Sequence, residues 1–135
     1  MENGFLHLDV VTLKKVVFSE PIQSIVAPGT VGYFSIHVGH TPFVSSLKAG
    51  VVQAIKLNGE KLILAMSGGF LMTDGKKVIL LADAAERPEE IDVARAQAAK
   101  ERAEKRLAER SPHIDIDRAK AALLRALTRL KVAGA

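Results

Sequence analysis

The segment Glu86–Ala96 reads ERPEEIDVARA and lies at the point where the chain changes character. Before it, apolar and polar residues alternate in short runs that end at turn residues, which is typical of β-strands. After it, the chain is rich in Ala, Glu, Lys and Arg, which are strong helix formers. Pro88 and the two Glu that follow it suit the first turn of a helix, whose amino-terminal end carries positive charge. By itself the segment is an ordinary charged helix start, so its further meaning depends on the rest of the chain.

Length and composition limit the class of protein. The chain has 135 residues, of which 48% are hydrophobic, and it contains no cysteine. That length has room for one ordinary domain, or for a small domain with an appendage. The lack of cysteine excludes disulfides and cysteine nucleophiles. No apolar run approaches the ~18 residues of a membrane span, and no signal-peptide pattern is present, so we expect a soluble intracellular protein.

The positive charges are unevenly distributed along the chain. All eight Arg lie in residues 86–135, whereas all six aromatic residues lie before that part. Arginine presents a planar, permanently charged fork that matches carboxylates and phosphates, which lysine does not. The second part of the chain therefore has a chemistry that the first part lacks.

The first part predicts many short strands. Residues 6–10 alternate, 15–19 and 22–26 form short apolar runs, and 31–38 forms another. Asn58-Gly59 and Asp74-Gly75 are hairpin signals, and Ser67–Gly69 indicates a bend or bulge within residues 51–82. With no helical pattern between the runs, we predict a mainly β antiparallel sandwich over residues 1–85.

The second part predicts an antiparallel two-helix hairpin over residues 86–135. The first helix is expected from about Pro88 to Glu109, and Ser111-Pro112-His113 interrupts it. Asp115 is a suitable N-cap for a second helix that reaches about Val132. The seam between the helices consists mostly of Ala, which allows close approach but buries little apolar surface. At roughly 25 cal/mol per Å² of buried apolar area, this seam should be only marginally stable alone.

Arginines recur on one face of each predicted helix. Asp92 and Arg95 are three residues apart and Arg102 follows Arg95 by seven, so the three share a face. On the second helix, the Arg at positions 118, 125 and 129 fall on one face by the same rule. Guanidinium groups that converge repel one another, and an anion such as a triphosphate relieves that repulsion. The alternative is that these arginines are solvated and pair locally with Glu or Asp.

The remaining motifs point away from catalysis. His37 and His40 would point to opposite faces of a regular strand, so a metal site between them is disfavoured. The chain has no G-x-x-x-x-G-K-[ST] segment, which excludes a P-loop. No nucleophile and base form a recognisable pair. We predict no catalytic residue and no metal ligand.

Three stretches together resemble one family. Residues 32–42, GYFSIHVGHTP, resemble its G-x-x-G-I-x-P-G-H-x-P segment, with Ser35 in place of the usual Gly and Val38 in place of the usual Pro. Ser67–Phe70 resembles its S-G-G-F, and residues 84–92, AAERPEEID, resemble its A-E-x-x-x-x-I-D junction. In this order and spacing, they make the chain similar to the epsilon subunit of bacterial F-type ATP synthases over nearly its whole length.

The resemblance implies an assembly and a place in the cell. It implies a non-catalytic central-stalk subunit of the rotor that is bound to the gamma subunit and touches the c-subunit ring. Its hairpin can lie folded on the sandwich, or extend into the alpha/beta catalytic head and inhibit ATP hydrolysis. Such a subunit is peripheral on the cytoplasmic face of the bacterial cell membrane, and it takes part in coupling proton flow to ATP synthesis.

The resemblance also implies a regulatory ATP site. Some members bind ATP in the folded hairpin through an I-D-x-x-R-A motif, and residues 91–96, IDVARA, complete that motif here. The implied site needs no further cofactor, with or without Mg²⁺, and it senses ATP without hydrolysing it. Glu86 is implied near the base or ribose, and we expect Ile91 and Ala96 to offer the adenine a flat apolar contact. The implied ATP-binding residues are Glu86, Ile91, Asp92, Arg95, Ala96, Arg102, Arg125 and Arg129, with Arg102, Arg125 and Arg129 around the phosphates.

A nucleic-acid-binding hairpin on a β-sandwich is the alternative. Residues 86–135 contain no aromatic side chain on which a base could stack. They also carry nine acidic residues against twelve basic ones, which weakens a surface for a phosphate backbone. A salt titration of binding to single-stranded DNA separates the two hypotheses.

Overall fold

The computed structural model describes residues 4–109 and 111–134. Its strands are β1 Leu6–Val11, β2 Val16–Pro28, β3 Tyr33–His37, β4 Phe43–Lys56, β5 Lys61–Thr73, β6 Lys77–Ala82 and β7 Ala85–Glu86. A single 3₁₀ turn, Pro88–Glu90, leads to the helices α1 Val93–Glu109 and α2 Ile116–Ala133. The predicted order, a β part followed by two helices, is confirmed.

The strands form a sandwich whose sheet closes on itself. The pairing order is β1-β6-β5-β4-β2-β3, and β1 also pairs with β2. The long strands β2 and β5 each pair with different neighbours along their two halves, β2 with β1 and then with β3 and β4, and β5 with β7 and then with β6. The third long strand, β4, pairs with β5 along almost its whole length. The predicted antiparallel arrangement is confirmed for all described pairs except β1 with β6, which are parallel.

Two strands are longer than the sequence predicted. The runs 15–19 and 22–26 belong to one strand, β2, whose register shifts between Ile22 and Ser24. The strand β4 begins at Phe43, well before the strand predicted from Val51, whereas the bend predicted at Ser67–Gly69 is confirmed inside β5. A bulge bends a strand and increases its twist without ending it, so a local break in the pattern overestimates the number of strands.

The bend in β5 depends on glycine. Gly68 and Gly69 have φ angles of 115° and 141°, in the region that other residues rarely adopt. A Cβ added to Gly69 would lie 2.0 Å from the backbone oxygen of Leu81 on the neighbouring strand β6. The S-G-G-F segment is therefore the place where β5 turns from one layer to the other.

The helices lie on the outer face of the sandwich. Val52 and Leu64 point into the core between the layers, whereas their neighbours Val51 and Ala65 are buried outside that core. Val51 and Ala65 face each other across β4 and β5, the two strands on which α2 packs. Helix α1 packs on α2 and forms the outermost layer.

The first helix begins later than predicted. Pro88 opens the 3₁₀ turn, Ile91 is extended with φ −79° and ψ 124°, and α1 starts only at Val93. The side chain of Asp92 accepts a hydrogen bond of 3.0 Å from the backbone N–H of Arg95 and thereby caps α1. The predicted start at Pro88 was wrong because a proline fits a 3₁₀ turn as well as an α-helix.

The predicted cap of α2 is confirmed, since Asp115 accepts a 3.0 Å hydrogen bond from the N–H of Arg118.

We predict that residues 1–90 fold without the helices. The sandwich has its own core. The guanidinium group of Arg87 donates a hydrogen bond of 3.0 Å to the backbone oxygen of Val17, which fixes the junction to β2. The truncated protein should unfold cooperatively in urea but lose about 2 kcal/mol of stability, because Val51 becomes exposed. Circular dichroism of both lengths checks this, and non-cooperative unfolding of residues 1–90 would contradict it. The predicted division of the chain between residues 85 and 86 stays a prediction.

Candidate anion-binding site

A cleft of about 520 Å³ lies between α1, α2 and the junction that leads into α1. Its walls consist of five arginines, three acidic residues and five alanines. They are Arg95, Arg102, Arg106, Arg125 and Arg129; Glu86, Glu90 and Asp92; and Ala96, Ala99, Ala103, Ala122 and Ala126. A cleft of this size falls within the range of small-molecule sites.

Helix geometry explains why the arginines meet. Arg95, Arg102 and Arg106 are separated by seven and four residues, so they share one face of α1. Arg125 and Arg129 are four residues apart and share one face of α2. The hairpin brings these two faces together across the cleft, as the spacing predicted.

Small side chains leave the space between the arginine rows. Ala96, Ala103 and Ala126 are buried where the helices meet, and Ala99 and Ala122 are half-buried along the cleft. Larger residues at these positions would fill the cleft and hold the helices further apart. The alanine seam thus sets the shape of the site, and the small area that it buries is the basis for the expected weakness of the hairpin.

Most arginines of the cleft have no carboxylate partner among the described residues. Within residues 4–109 and 111–134, Arg129 is the one cleft arginine with a carboxylate oxygen within 4.0 Å. Its Nε donates to Oε1 of Glu86 at 2.5 Å, and both side chains are about 30% exposed. The other four arginines face the cleft without such a partner in the described part of the chain, so the cleft has an excess of positive charge.

The other two carboxylates have partners of their own. Asp92 caps α1, as described above. Glu90 accepts a hydrogen bond from the backbone N–H of Arg87 at 2.9 Å and another from Nζ of Lys15 at 3.3 Å. The Arg87 hydrogen bond and, after it, the Lys15 ammonium hold the pKa of Glu90 below its ordinary value of 4.5. Glu90 is therefore ionised at neutral pH and fastens the junction to the sandwich.

Most of the predicted site residues come together. Glu86, Asp92, Ala96 and the arginines at positions 95, 102, 125 and 129 all line the cleft. Ile91 does not, because it is only 8% exposed and lies outside the lining. Of the apolar pair expected to contact adenine, only Ala96 is on the wall. The ligand itself stays a prediction.

Two arginines depart from the expected pattern. Arg118 shares the helix face of Arg125 and Arg129, as predicted, but it lines a neighbouring surface pocket near the hairpin loop, with Arg106 and His113, and not the cleft. Arg118 is in the first turn of α2, about two turns before Arg125, so it lies beyond the end of the cleft. Arg106 was missed, although its spacing of four from Arg102 is the signal that would have found it.

No metal centre or membrane helix is found in the described residues. No group of three or more His, Asp or Glu side chains there could hold a metal ion. Nδ1 of His40 is 2.6 Å from the backbone oxygen of Thr41, which involves that ring in its own loop. Within the same ranges, neither α1 nor α2 has the length and apolar character required to cross a bilayer.

Comparison with known families accounts for both parts of the chain. Residues 5–88 match the β-sandwich domain of the ATP synthase delta/epsilon chain, and residues 89–134 match its long α-helix domain. The chain belongs to the ATP synthase delta/epsilon family. This confirms the family that the three sequence stretches indicated. The two matches meet between residues 88 and 89, close to the end of β7.

Individual relatives and structures agree with the family. The ATP synthase epsilon chain of Pelotomaculum thermopropionicum is 52% identical over 134 residues, covering 99% of both chains. That of Moorella thermoacetica is 48% identical over 130 residues, covering 96% of this chain and 97% of the relative. A chain of the Euglena gracilis mitochondrial ATP synthase matches with a TM-score of 0.84 at 23% identity, covering 98% of this chain and 83% of that one. A chain from the central stalk and c-ring of the Tetrahymena thermophila mitochondrial ATP synthase matches with a TM-score of 0.65 at 11% identity, covering 95% of this chain and 96% of that one. These structures support the fold alone.

We predict that filling the cleft blocks ligand binding. Ala99→Leu places a larger side chain on the cleft wall and keeps a strong helix former, so α1 should persist. Calorimetry should show at least about a tenfold loss of affinity for ATP, the ligand expected from the sequence, because the cleft is only about 520 Å³. Ala98→Leu is the matched control, since Ala98 is exposed and outside the lining. Equal ATP affinity for both variants and the parent protein would contradict a ligand at this position.

Proposed function

We propose that the protein is a non-catalytic central-stalk subunit of an F-type ATP synthase, and that ATP binds the folded hairpin as a regulatory ligand. Family membership supports the assembly, and the matched relatives are named ATP synthase epsilon chains. As part of the synthase rotor it takes part in coupling proton flow to ATP synthesis. It does so from a peripheral position on the cytoplasmic face of the bacterial membrane.

The cleft arginines carry the proposal of a nucleotide. Four arginines, from two helices, share one cleft without a carboxylate partner in the described residues. Arginine–phosphate hydrogen bonds are charge-assisted and often bidentate, so a chain of phosphates satisfies several guanidinium groups at once. ATP brings more negative charge to them than ADP, which gives the site a basis for discrimination.

Ligand binding favours the folded hairpin by mass action. Arg95 and Arg102 belong to α1 and Arg125 belongs to α2, so a bound triphosphate links the two helices. A ligand that binds only the folded form stabilises it by RT ln(1 + [L]/Kd), about 2.7 kcal/mol at a hundredfold excess over Kd. That is about a hundredfold shift for an element that is nearly balanced between two states.

The second helix has apolar surface that the folded state does not use. Leu124 and Leu127, three residues apart on one face of α2, are 40% and 42% exposed. These side chains support a second packing partner for α2 when the hairpin extends. In this proposal the extended helices reach along the gamma subunit into the alpha/beta head and inhibit ATP hydrolysis.

The sandwich keeps the subunit on the rotor. Val44 lies opposite Met72 on β4 and β5, and Phe70 lies opposite Leu81 on β5 and β6. These four side chains are between 36% and 66% exposed, although they are large and apolar. A continuous exposed apolar patch on a sheet favours a protein interface, here with the gamma subunit. The loop Val38–Phe43 is proposed to contact the c-subunit ring.

We predict that removing a cleft arginine weakens ATP binding and frees the hairpin. Arg125→Ala or Arg95→Ala should reduce ATP affinity about tenfold, which corresponds to the loss of one charge-assisted hydrogen bond. Because the chain has no cysteine, labels can be placed at Ala108 and Lys61 to measure the distance between hairpin and sandwich. ATP should narrow that distance distribution in the parent protein and much less in the arginine variants.

The control is Lys105→Ala, which removes a positive charge from α1 outside the cleft lining. It should keep both the ATP affinity and the response of the distance distribution. Binding of ATP without any change in the distance distribution would contradict the regulatory part of the proposal. Absence of ATP binding to the parent protein would contradict the site itself.

We also predict that the exposed apolar face of α2 serves the extended state. In a reconstituted synthase, Leu127→Ser should relieve inhibition of ATP hydrolysis at low ATP, because it removes apolar contact area from the extended helix. The ATP affinity of the isolated folded protein should not change, since Leu127 lies outside the cleft lining. Leu127→Met is the conservative control, and an unchanged degree of inhibition in Leu127→Ser would contradict this role.

A further inference from the structure

One ion pair joins the sandwich to the hairpin at the edge of the cleft. Glu86 lies in β7 and Arg129 lies in α2, 43 residues further along the chain. Among the described residues, it is the one ion pair between the sheet and α2. It therefore forms when α2 docks and is lost when α2 leaves.

The two partners belong to elements of different mobility in the proposed mechanism. Glu86 is held in the sheet, because β7 pairs with β5 and Glu86 lies opposite Ala65. The next residue, Arg87, lies over the ring of Phe18 at 6.0 Å and bonds the backbone of β2. The Glu86 carboxylate is thus presented by the fixed sandwich, whereas Arg129 moves with the helix.

We propose that Glu86 acts as a built-in anion that occupies Arg129 in the absence of ligand. The pair is a latch that holds the empty hairpin folded, and phosphate groups must displace the carboxylate before they engage Arg129. This inference rests on the proposed function of the cleft as an anion site. It gives Glu86 a role in the empty state, in addition to the contact with base or ribose that the resemblance implies.

The geometry supports competition between carboxylate and phosphate. Both are oxygen anions that match the planar guanidinium, and Nε of Arg129 is already donating to Oε1 of Glu86. Glu86 also lines the cleft, so an incoming phosphate meets its negative charge directly. The remaining four arginines have no such competitor in the described residues. Arg129 is thus the cleft arginine whose contribution to binding is reduced by the protein itself.

The latch is tested without any ligand. A single cysteine introduced as Ala65→Cys is buried under α2 next to Thr128 and Arg129, so its labelling rate by a thiol reagent reports how often the hairpin opens. Glu86→Gln and Arg129→Gln should each raise that rate about two- to fivefold, the range for a partly exposed ion pair. The double variant should show no further increase, and exchanging the two residues, Glu86→Arg with Arg129→Glu, should restore the slow rate.

A second cysteine position separates hairpin opening from unfolding. Ala54→Cys lies in the sandwich core, where labelling requires the sandwich itself to open. Its rate should stay the same in all these variants. Unchanged labelling at Ala65→Cys in both single variants would overturn the latch. An equal rise at both cysteine positions would overturn it as well, because the sandwich would then be the part that is destabilised.

Competition is tested with inorganic tripolyphosphate, which has no base or ribose. Glu86→Gln should bind it several-fold more tightly than the parent protein by calorimetry, because Arg129 is released. Glu90→Gln is the matched control, since it removes the same charge from the same cleft but from a carboxylate bonded to Lys15 and Arg87. Equal tightening in both variants would overturn specific competition in favour of general electrostatics. Weaker binding in Glu86→Gln would also overturn it, because Glu86 would then be positioning Arg129 for the ligand.

Different results contradict the anion site and the latch between Glu86 and Arg129. If the parent protein binds neither ATP nor tripolyphosphate, the proposed anion site is wrong and the competition is overturned with it. The labelling rates at Ala65→Cys still decide the latch in that case. If ATP binds but Glu86→Gln changes neither the labelling rate nor the affinity for tripolyphosphate, the site stands and the inference about Glu86 is wrong.

Discussion

The balance between an alanine seam and a cluster of like charges controls the structure of the hairpin. Ala96, Ala103 and Ala126 are buried between the helices, but each methyl group contributes only about 0.8 kcal/mol even when fully buried. The mutual repulsion of the arginines in one cleft opposes this stabilisation by the alanines. The docked arrangement therefore depends on what α2 gains from the sandwich, where Leu130 is buried and α2 covers the outer faces of β4 and β5.

The junction divides the cleft into a fixed part and a part that moves in the proposed mechanism. Two contacts hold the turn Pro88–Glu90 on the sandwich. Arg87 donates a hydrogen bond to the backbone of β2, and Glu90 forms an ion pair with Lys15 in the loop that precedes β2. After it, Ile91 is extended and Asp92 caps α1, so the backbone changes direction at these two residues. Glu86 and Glu90 thus belong to the sandwich side of the cleft, whereas its arginines belong to the helices. Any movement of the hairpin separates the carboxylates of the sandwich from the guanidinium groups.

Local signals in the sequence predicted the features that depend on local physics. The arginine rows, the cap at Asp115 and the bend at Gly68-Gly69 follow from spacing, hydrogen bonding and backbone freedom, and the structure contains all three. The pair of Glu86 with Arg129 was not predictable, because it depends on how α2 docks on a strand far away in sequence. The start of α1 was predicted at Pro88 and was wrong, since that proline opens a 3₁₀ turn and Asp92 is the residue that caps α1. The parallel pairing of β1 with β6 likewise depends on how the sheet closes, and the alternation of apolar and polar residues does not encode that closure.

The same choice of side chain explains the room in the cleft and supports the opening that the proposed mechanism requires. Leucines at Ala99 and Ala122 would bury more apolar surface and strengthen the helix contact, but they would fill the space between the arginine rows. A hairpin held by such a seam would stay folded whether or not an anion was present, because the free energy added by a ligand would be small beside that of packing. In the proposed mechanism, the packing free energy of the alanines is small enough for the binding of one charged ligand to decide whether the hairpin is folded. A site that reports the presence of its ligand must be built on a weak interface, and the alanine seam provides one.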